Sequence, residues 1–236
     1  MSAELVRRVV TAFSPPAGRV AVVGCGRGVP VAQGALLGRS VVGVDADPNR
    51  VRRAVRYAEA VLSEEQCARV RVVREEARNL DRVCADWSGR ADLVLFDVPP
   101  PIGGEPKCRR DLPAGDLRLL DGPAFAVALE EAFAAVARLL RPGGYMAVVC
   151  RRGVPRPRPL DRVASCVRRA SAAGLVYVQH VIALAVPIRG DRLAADQVPS
   201  RVLNASHAAA AATLVSPVHD DVCVFTRPEV VREVGL

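Results

Sequence analysis

The stretch RVAVVGCGRGVPVAQGALLGRSVVGVD, residues 19–45, decides the fold. It opens with a β-branched run, Arg19 to Gly24, that reads as a strand. The run ends in Gly24-Cys25-Gly26-Arg27-Gly28, whose three glycines let the backbone turn sharply and let a ligand approach the main chain. Residues 29–37 read as a helix and Ser40 to Asp45 as a second strand. Strand, glycine turn, helix and strand in that order predict a crossover unit with parallel strands.

Working outward, residues 4–13 read as a lead-in helix, so that residues 1–18 form an N-terminal helical segment ahead of one domain over 19–236. On the other side, Asp47 is placed to cap a helix that has Pro48 in its first turn and runs to about Leu62. Ala68 to Arg74 is a third strand, and a helix is expected around 77–86. Ala91 to Asp97 is a fourth strand, nearly continuous in apolar residues as a strand covered on both faces should be. Residues 98–120, with five prolines and three glycines, read as a long loop. An Ala-rich helix follows at 122–140, a turn at 141–144 and a fifth strand at Tyr145 to Cys150. Gly153 to Pro159 is a stiff basic loop, 160–173 a helix, and Leu175 to Val186 a sixth strand. Residues 187–216 look irregular, and His219 to Thr226 is a last strand. This alternation predicts an α/β fold: a doubly wound, mostly parallel seven-stranded sheet, with an antiparallel last strand added at one edge.

Half of the 236 residues are apolar but only 4% are aromatic, so the core must be built from Val, Ala and Leu. The formal charge of +8 is almost wholly arginine, Lys107 being the one lysine. Two readings of that charge stand open: a compositional bias, or a polyanionic partner matched to guanidinium groups. The seven cysteines include no C-x-x-C pair, and the three histidines are not spaced as ligands beside them, so no metal is expected. The first residues carry no signal-peptide apolar core, and the run from Leu175 to Ile188 is too short to span a membrane. A cytoplasmic protein with reduced thiols and no membrane partner is expected.

Ligands of such sheets bind at the carboxyl ends of the strands. The first strand ends in the Gly24, Cys25, Gly26, Gly28 loop. The nicotinamide fingerprint would place a glycine at position 29, where this chain has Val29. The second strand ends at Asp45, followed by Ala46; an acid there can accept both hydroxyls of a ribose. The third strand is followed by Glu75 and Glu76, which either accept from an adenine amino group or supply ordinary helix N-terminal charge. The fourth strand ends at Asp97, before Val98-Pro99-Pro100-Pro101.

This ordered set resembles the class I S-adenosylmethionine (SAM)-dependent methyltransferases, whose glycine loop has the form G-x-G-x-G. More narrowly, it resembles the DNA methylase-like amino-methyltransferases. The stretches that carry the resemblance are GALLGRSVVGVDADPNRVRRA (34–54), GRADLVLFDVPPP (89–101), LLRPGGYMAVVCR (139–151), AGLVYVQHVIALAVPIRGDRLAA (173–195) and VHDDVCVFTRP (218–228). Together they reach across roughly residues 19 to 228, and the last two are the more specific.

The resemblance implies SAM as cofactor, bound by Gly24, Cys25, Gly26, Gly28, Asp45, Ala46, Glu75, Glu76 and Asp97. It implies methyl transfer to an amino group of a DNA or RNA base. Such enzymes carry Asp, Asn or Ser, then Pro-Pro, then an aromatic after the fourth strand; the polar group and a proline carbonyl orient the amine, and the aromatic stacks on an extruded base. Here the polar position is Val98 and the aromatic position Pro101, which leaves Asp97 with Pro99 and Pro100 as the catalytic candidates. The acid expected two residues before the first glycine is replaced by Val22, and residues 187–216 lack a base-stacking aromatic. Lys107, Arg109, Arg110, Arg118, Arg151, Arg152, Arg156 and Arg158, in the loops after strands four and five, are the candidate nucleic-acid contacts. A binding protein without transfer activity and a small-molecule methyltransferase remain alternatives; a nicotinamide oxidoreductase conflicts with Val29.

Overall fold

The computed structural model describes residues 1–99, 112–150, 162–184, 186–193 and 219–229. The elements run α1 (Ala3–Phe13), β1 (Arg19–Val23), α2 (Val29–Leu36), β2 (Ser40–Asp45), α3 (Pro48–Val61), α4 (Glu64–Cys67), β3 (Val70–Arg74), α5 (Leu80–Val83), β4 (Ala91–Val98), α6 (Gly122–Leu139), β5 (Leu140–Cys150), α7 (Arg162–Ala172), β6 (Val176–Leu184), β7 (Ile188–Arg189), β8 (Arg192–Leu193) and β9 (His219–Thr226). The main sheet has the order β3-β2-β1-β4-β5-β9-β6. Pairs from β3 to β5 are parallel, and β9 is antiparallel to both of its neighbours. The expected mostly parallel seven-stranded sheet is therefore present. The late strands β9 and β6 make the expected antiparallel addition at one edge, β9 pairing with both β5 and β6.

The longer helices α3 and α6 show how sequence sets the helices. Asp47 caps α3 by accepting from the amides of Asn49 and Arg50, and Ala54 and Ala58 lie one turn apart on its buried face. In α6, Leu129, Ala132, Phe133 and Val136 recur at helical spacing and are buried. The sheet is covered on both sides. One core joins Val6 and Val10 of α1, Val31 of α2 and Ala54 of α3 to Val20, Val22, Leu93 and Leu95. The other joins Leu129, Phe133 and Val136 of α6 and Cys166 of α7 to Val94, Phe96, Val148 and Phe225.

Local differences from the sequence reading have identifiable causes. The helix expected at 77–86 is a 3-10 turn, the four-residue α5 and a second 3-10 turn. Asn79 donates its side-chain amide to Glu75, a local bond that competes with helix. The turn expected at 141–144 lies inside β5 as a bulge: Leu140 pairs with Ala91, and Tyr145 with Leu93. Asp92, left opposite the bulge, accepts from Arg141 Nε at 2.6 Å and from the Arg19 amide at 2.8 Å. Within 187–216, Ile188–Arg189 and Arg192–Leu193 pair as a small hairpin, turning at Gly190 with φ 61°.

Phe96 and Phe133 meet edge to face with centroids 5.2 Å apart, joining β4 to α6. Phe133→Ala is expected to lower the unfolding free energy by about 3–5 kcal/mol. In urea this reads as a lower midpoint at unchanged slope.

Candidate functional site

In the strand order, β1 and β4 are where the connections switch sides, the place at which open α/β sheets hold ligands. A cleft of about 510 Å3, its open mouth included, lies there. Its walls bring together Gly24, Asp45, Ala46, Glu75, Asp97 and Pro99 of the sequence-derived candidates. Arg50, Ala77, Phe96 and the segment Gly115, Asp116, Leu117, Arg118 complete it.

The glycine loop is shaped by close approach. Gly24 has φ 75°, and a Cβ on it would stand 3.1 Å from the carbonyl oxygen of Asp97, so the loop and the end of β4 touch. Gly28 has φ 92°, and its Cβ would meet Ala54 Cα at 2.7 Å, which draws the loop against α3. The loop amides are already engaged: Gly24 and Cys25 donate to the Val44 carbonyl at 2.8 and 3.2 Å, and Gly28 to the Cys25 carbonyl at 3.0 Å. Gly26 donates to Asp45 Oδ2 at 3.0 Å. The Cys25 side chain is buried in the core on the α1 side of the sheet, and burial pushes its thiol up to about 12.

Asp45 is only 5% exposed. Its Oδ1 accepts from the Asp47 amide at 3.0 Å, and Arg50 Nη1 lies 3.9 Å from Oδ2. Burial raises its pKa against the lowering effect of the two amides. Each carboxylate oxygen keeps a further lone pair for a ligand hydroxyl. Glu75 accepts from Asn79 and from the Glu76 amide, both at 3.0 Å, and these bonds hold it below the usual carboxylate range. Glu76 is turned elsewhere: it pairs with Arg78 at 2.7 Å, and its carboxylate packs against Gly115.

Asp97 ends β4 with Val98 buried in the core behind it. Burial first, and then the neighbouring Asp220 carboxylate, push the Asp97 pKa up to about 7. The Met1 amino nitrogen stands 3.8 Å from Asp97 Oδ2. Pro99 faces the cleft, and its carbonyl accepts from Arg162 Nη1 at 3.4 Å.

Pro100, Lys107, Arg109, Arg110, Arg151, Arg152, Arg156 and Arg158 lie outside the described residues. Arg118, counted among the exposed basic groups, is instead 8% exposed and committed to Asp116 and Asp47. Arg50, Asp116 and Leu117 were missed as site residues. Arg50 had a local signal, lying one turn into the helix capped beside Asp45. Among the described residues no group of His, Cys, Asp or Glu is arranged to hold a metal, and no helix is long and apolar enough to cross a membrane.

No protein-family model matches the chain, and no curated protein sequence is similar to it. Solved structures do match. A TehB-like SAM-dependent methyltransferase from Corynebacterium glutamicum superposes with a TM-score of 0.51 at 17% identity, covering 94% of this chain and 86% of that one. The N-methyltransferase NodS from Bradyrhizobium japonicum gives 0.55 at 13% identity over 96% and 94% of the two chains. The chain has the class I methyltransferase fold. That fold does not dictate one reaction: the [4+2]-cyclase SpnF matches with a TM-score of 0.60 at 16% identity, covering 96% of this chain and 81% of that one.

The raised pKa of Asp97 makes stability depend on pH with a definite sign. An unfolded Asp titrates near 3.9, so between about pH 4 and pH 7 the folded state holds a proton that the unfolded state has lost. The contribution of this residue therefore becomes less favourable as pH rises through that window. Asp97→Asn is expected to match the unsubstituted protein at pH 4 and to exceed it by on the order of 2–4 kcal/mol at pH 8, measured by denaturant unfolding.

Proposed function

We propose that the chain binds SAM in the cleft at the β1, β2 and β4 ends and transfers its methyl group to an amino group, in the finer reading that of a nucleic-acid base. One observation carries the cofactor reading. A buried acid with unused lone pairs, Asp45, stands beside a glycine loop whose amides at Gly24, Cys25, Gly26 and Gly28 are already engaged. A dinucleotide needs loop and helix amides for its pyrophosphate. Here α2 begins Val29-Pro30, and Pro30 has no amide to give. A nucleoside joined to an amino acid needs a ribose acceptor and a glycine turn beside it in the cleft, and Asp45 and Gly24 supply both.

SAM supplies an electrophilic methyl group on a sulfonium centre. The chain's own residues then have two tasks. The first is alignment, on which an in-line displacement mainly depends. Val98 is turned into the core and cannot orient an amine, so Asp97 and the Pro99 carbonyl take that role at the end of β4. The second is the proton that the acceptor nitrogen sheds on methylation. A carboxyl group with a pKa of about 7 is matched to receive it at neutral pH. The nucleic-acid reading is supported by the basic residues that follow β4 and β5 in sequence: Lys107, Arg109, Arg110, Arg151, Arg152, Arg156 and Arg158.

Calorimetry with SAM and with NADH tests the cofactor. SAM is expected to bind, and Asp45→Ala to weaken it by about 1–3 kcal/mol, the cost of hydroxyls left without an acceptor. Tight NADH binding with no SAM binding overturns the reading. Labelled-methyl transfer to DNA, RNA and small amines tests the acceptor. Asp97→Asn, which keeps an acceptor oxygen, is expected to retain more activity than Asp97→Ala. SAM binding with no transfer to any acceptor makes the chain a binding protein.

A further inference from the structure

The segment between residues 112 and 121 lines the cleft with Gly115, Asp116, Leu117 and Arg118, and its fastening is unusual for a surface loop. Arg118 and Asp116 are 8% and 4% exposed. The guanidinium grips Asp116 with two nitrogens, Nε at 3.0 Å from Oδ1 and Nη2 at 2.6 Å from Oδ2. The Arg118 amide donates to the same carboxylate at 2.9 Å, so the pair is closed within one turn of chain. The guanidinium also binds Asp47 of the turn after β2, with Nη1 and Nη2 each 3.3 Å from Oδ2.

Asp47 therefore does two things at once. Its Oδ1 caps α3, and its Oδ2 receives Arg118. Burial opposes ionisation of Asp47, but the Asn49 amide and Arg118 outweigh it and hold the group below its ordinary value. Elsewhere the segment meets the turn after β3, where Gly115 admits the Glu76 carboxylate so closely that any side chain at 115 would displace it. Between these anchors Leu117 is buried against the α6-side core and faces the cleft.

The anchors mark which half of the cleft is covered. Asp47 follows the end of β2, and Glu76 follows the end of β3. Asp97 and Gly24, at the ends of β4 and β1, lie on the opposite side. We propose that residues 115–118 are a strap over the nucleoside half of the bound cofactor, and that Arg118 is its positioning residue, acting through Asp47. This rests on the reading of SAM in the cleft. A salt bridge between the strap and the turn that carries Asp45 and Ala46 ties the roof to the ribose-binding floor, so the two move as one unit. A nucleoside leaves only when the Arg118–Asp47 contact opens, while the β4 side stays accessible to an acceptor.

The test is a double-mutant cycle on SAM binding, with rates read by stopped flow. Arg118→Lys keeps the charge but lacks the fork needed to hold Asp116 and Asp47 together. Asp47→Asn keeps a capping oxygen but loses the anion. Each is expected to raise the SAM dissociation rate about tenfold or more, and the double variant no further than either alone. Adenosine should show the same losses as SAM, since the strap covers the part they share. Thermal midpoints are measured alongside, because a purely structural pair would lower them and leave the dissociation rate of the folded fraction unchanged; that result overturns the strap. Additive effects of the two substitutions overturn the coupling through Asp47. If the unsubstituted protein fails to bind SAM, the cofactor reading falls and the strap with it. If it binds and the variants bind equally well, the strap alone falls.

Discussion

The buried carboxylate of Asp45 is the contact on which the site depends. Its two oxygens each take one backbone amide, Gly26 from the first loop and Asp47 from the next. Those loops follow different strands, and the carboxylate joins the Val44 carbonyl and the close approach of Gly28 to Ala54 in fixing the spacing between the glycine turn and α3. An acid in this place costs desolvation, seen in its raised pKa, and the two amide bonds offset that cost. Because the same oxygens keep spare lone pairs, the group that braces the loops also remains an acceptor toward the cleft.

The cleft that results is rich in carboxylates yet electrically divided. On the β2–β3 side, Asp45, Asp47 and Asp116 share Arg50 and Arg118, so most of the negative charge is offset locally. On the β4 side, burial and the Asp220 carboxylate push the Asp97 pKa up to about 7, with Arg50 opposing the shift. A carboxyl poised near neutrality on the β4 side can take up or release a proton, whereas the ion-paired groups on the other side keep their charges.

Most of the fold was legible because parallel strands buried on both faces leave continuous runs such as VAVVG and DLVLFD. The places of Gly24, Asp45 and Asp97 followed from strand ends alone. Other features left weaker traces. The short α4 had a readable signal, the capping box of Ser63 with Gln66, but too few residues for an apolar period. Arg118 was assigned to the exposed basic surface because charge by itself carries no information on burial. Its partner Asp47 lies 71 residues away, and pairing over that distance has no local signature. Glu75 and Glu76 are adjacent in sequence but diverge in space, one toward the cleft and one under Gly115; no residue-type rule separates them.

The position of β9 bears on how the chain assembles. Tyr145 of β5 pairs with Thr226, and Val176 of β6 pairs with the same residue, so the two later parallel strands are joined only through a strand made after both. Until residues 219–226 leave the ribosome, β5 offers an open edge of Met146, Val148 and Cys150. Local contacts among β1 to β4 can form early, but closing the sheet must await a pairing of long sequence separation, the slow kind. The β5 edge thus stays unpaired while the residues between Cys150 and His219 are made, the interval in which such an edge recruits chaperones or its own kind.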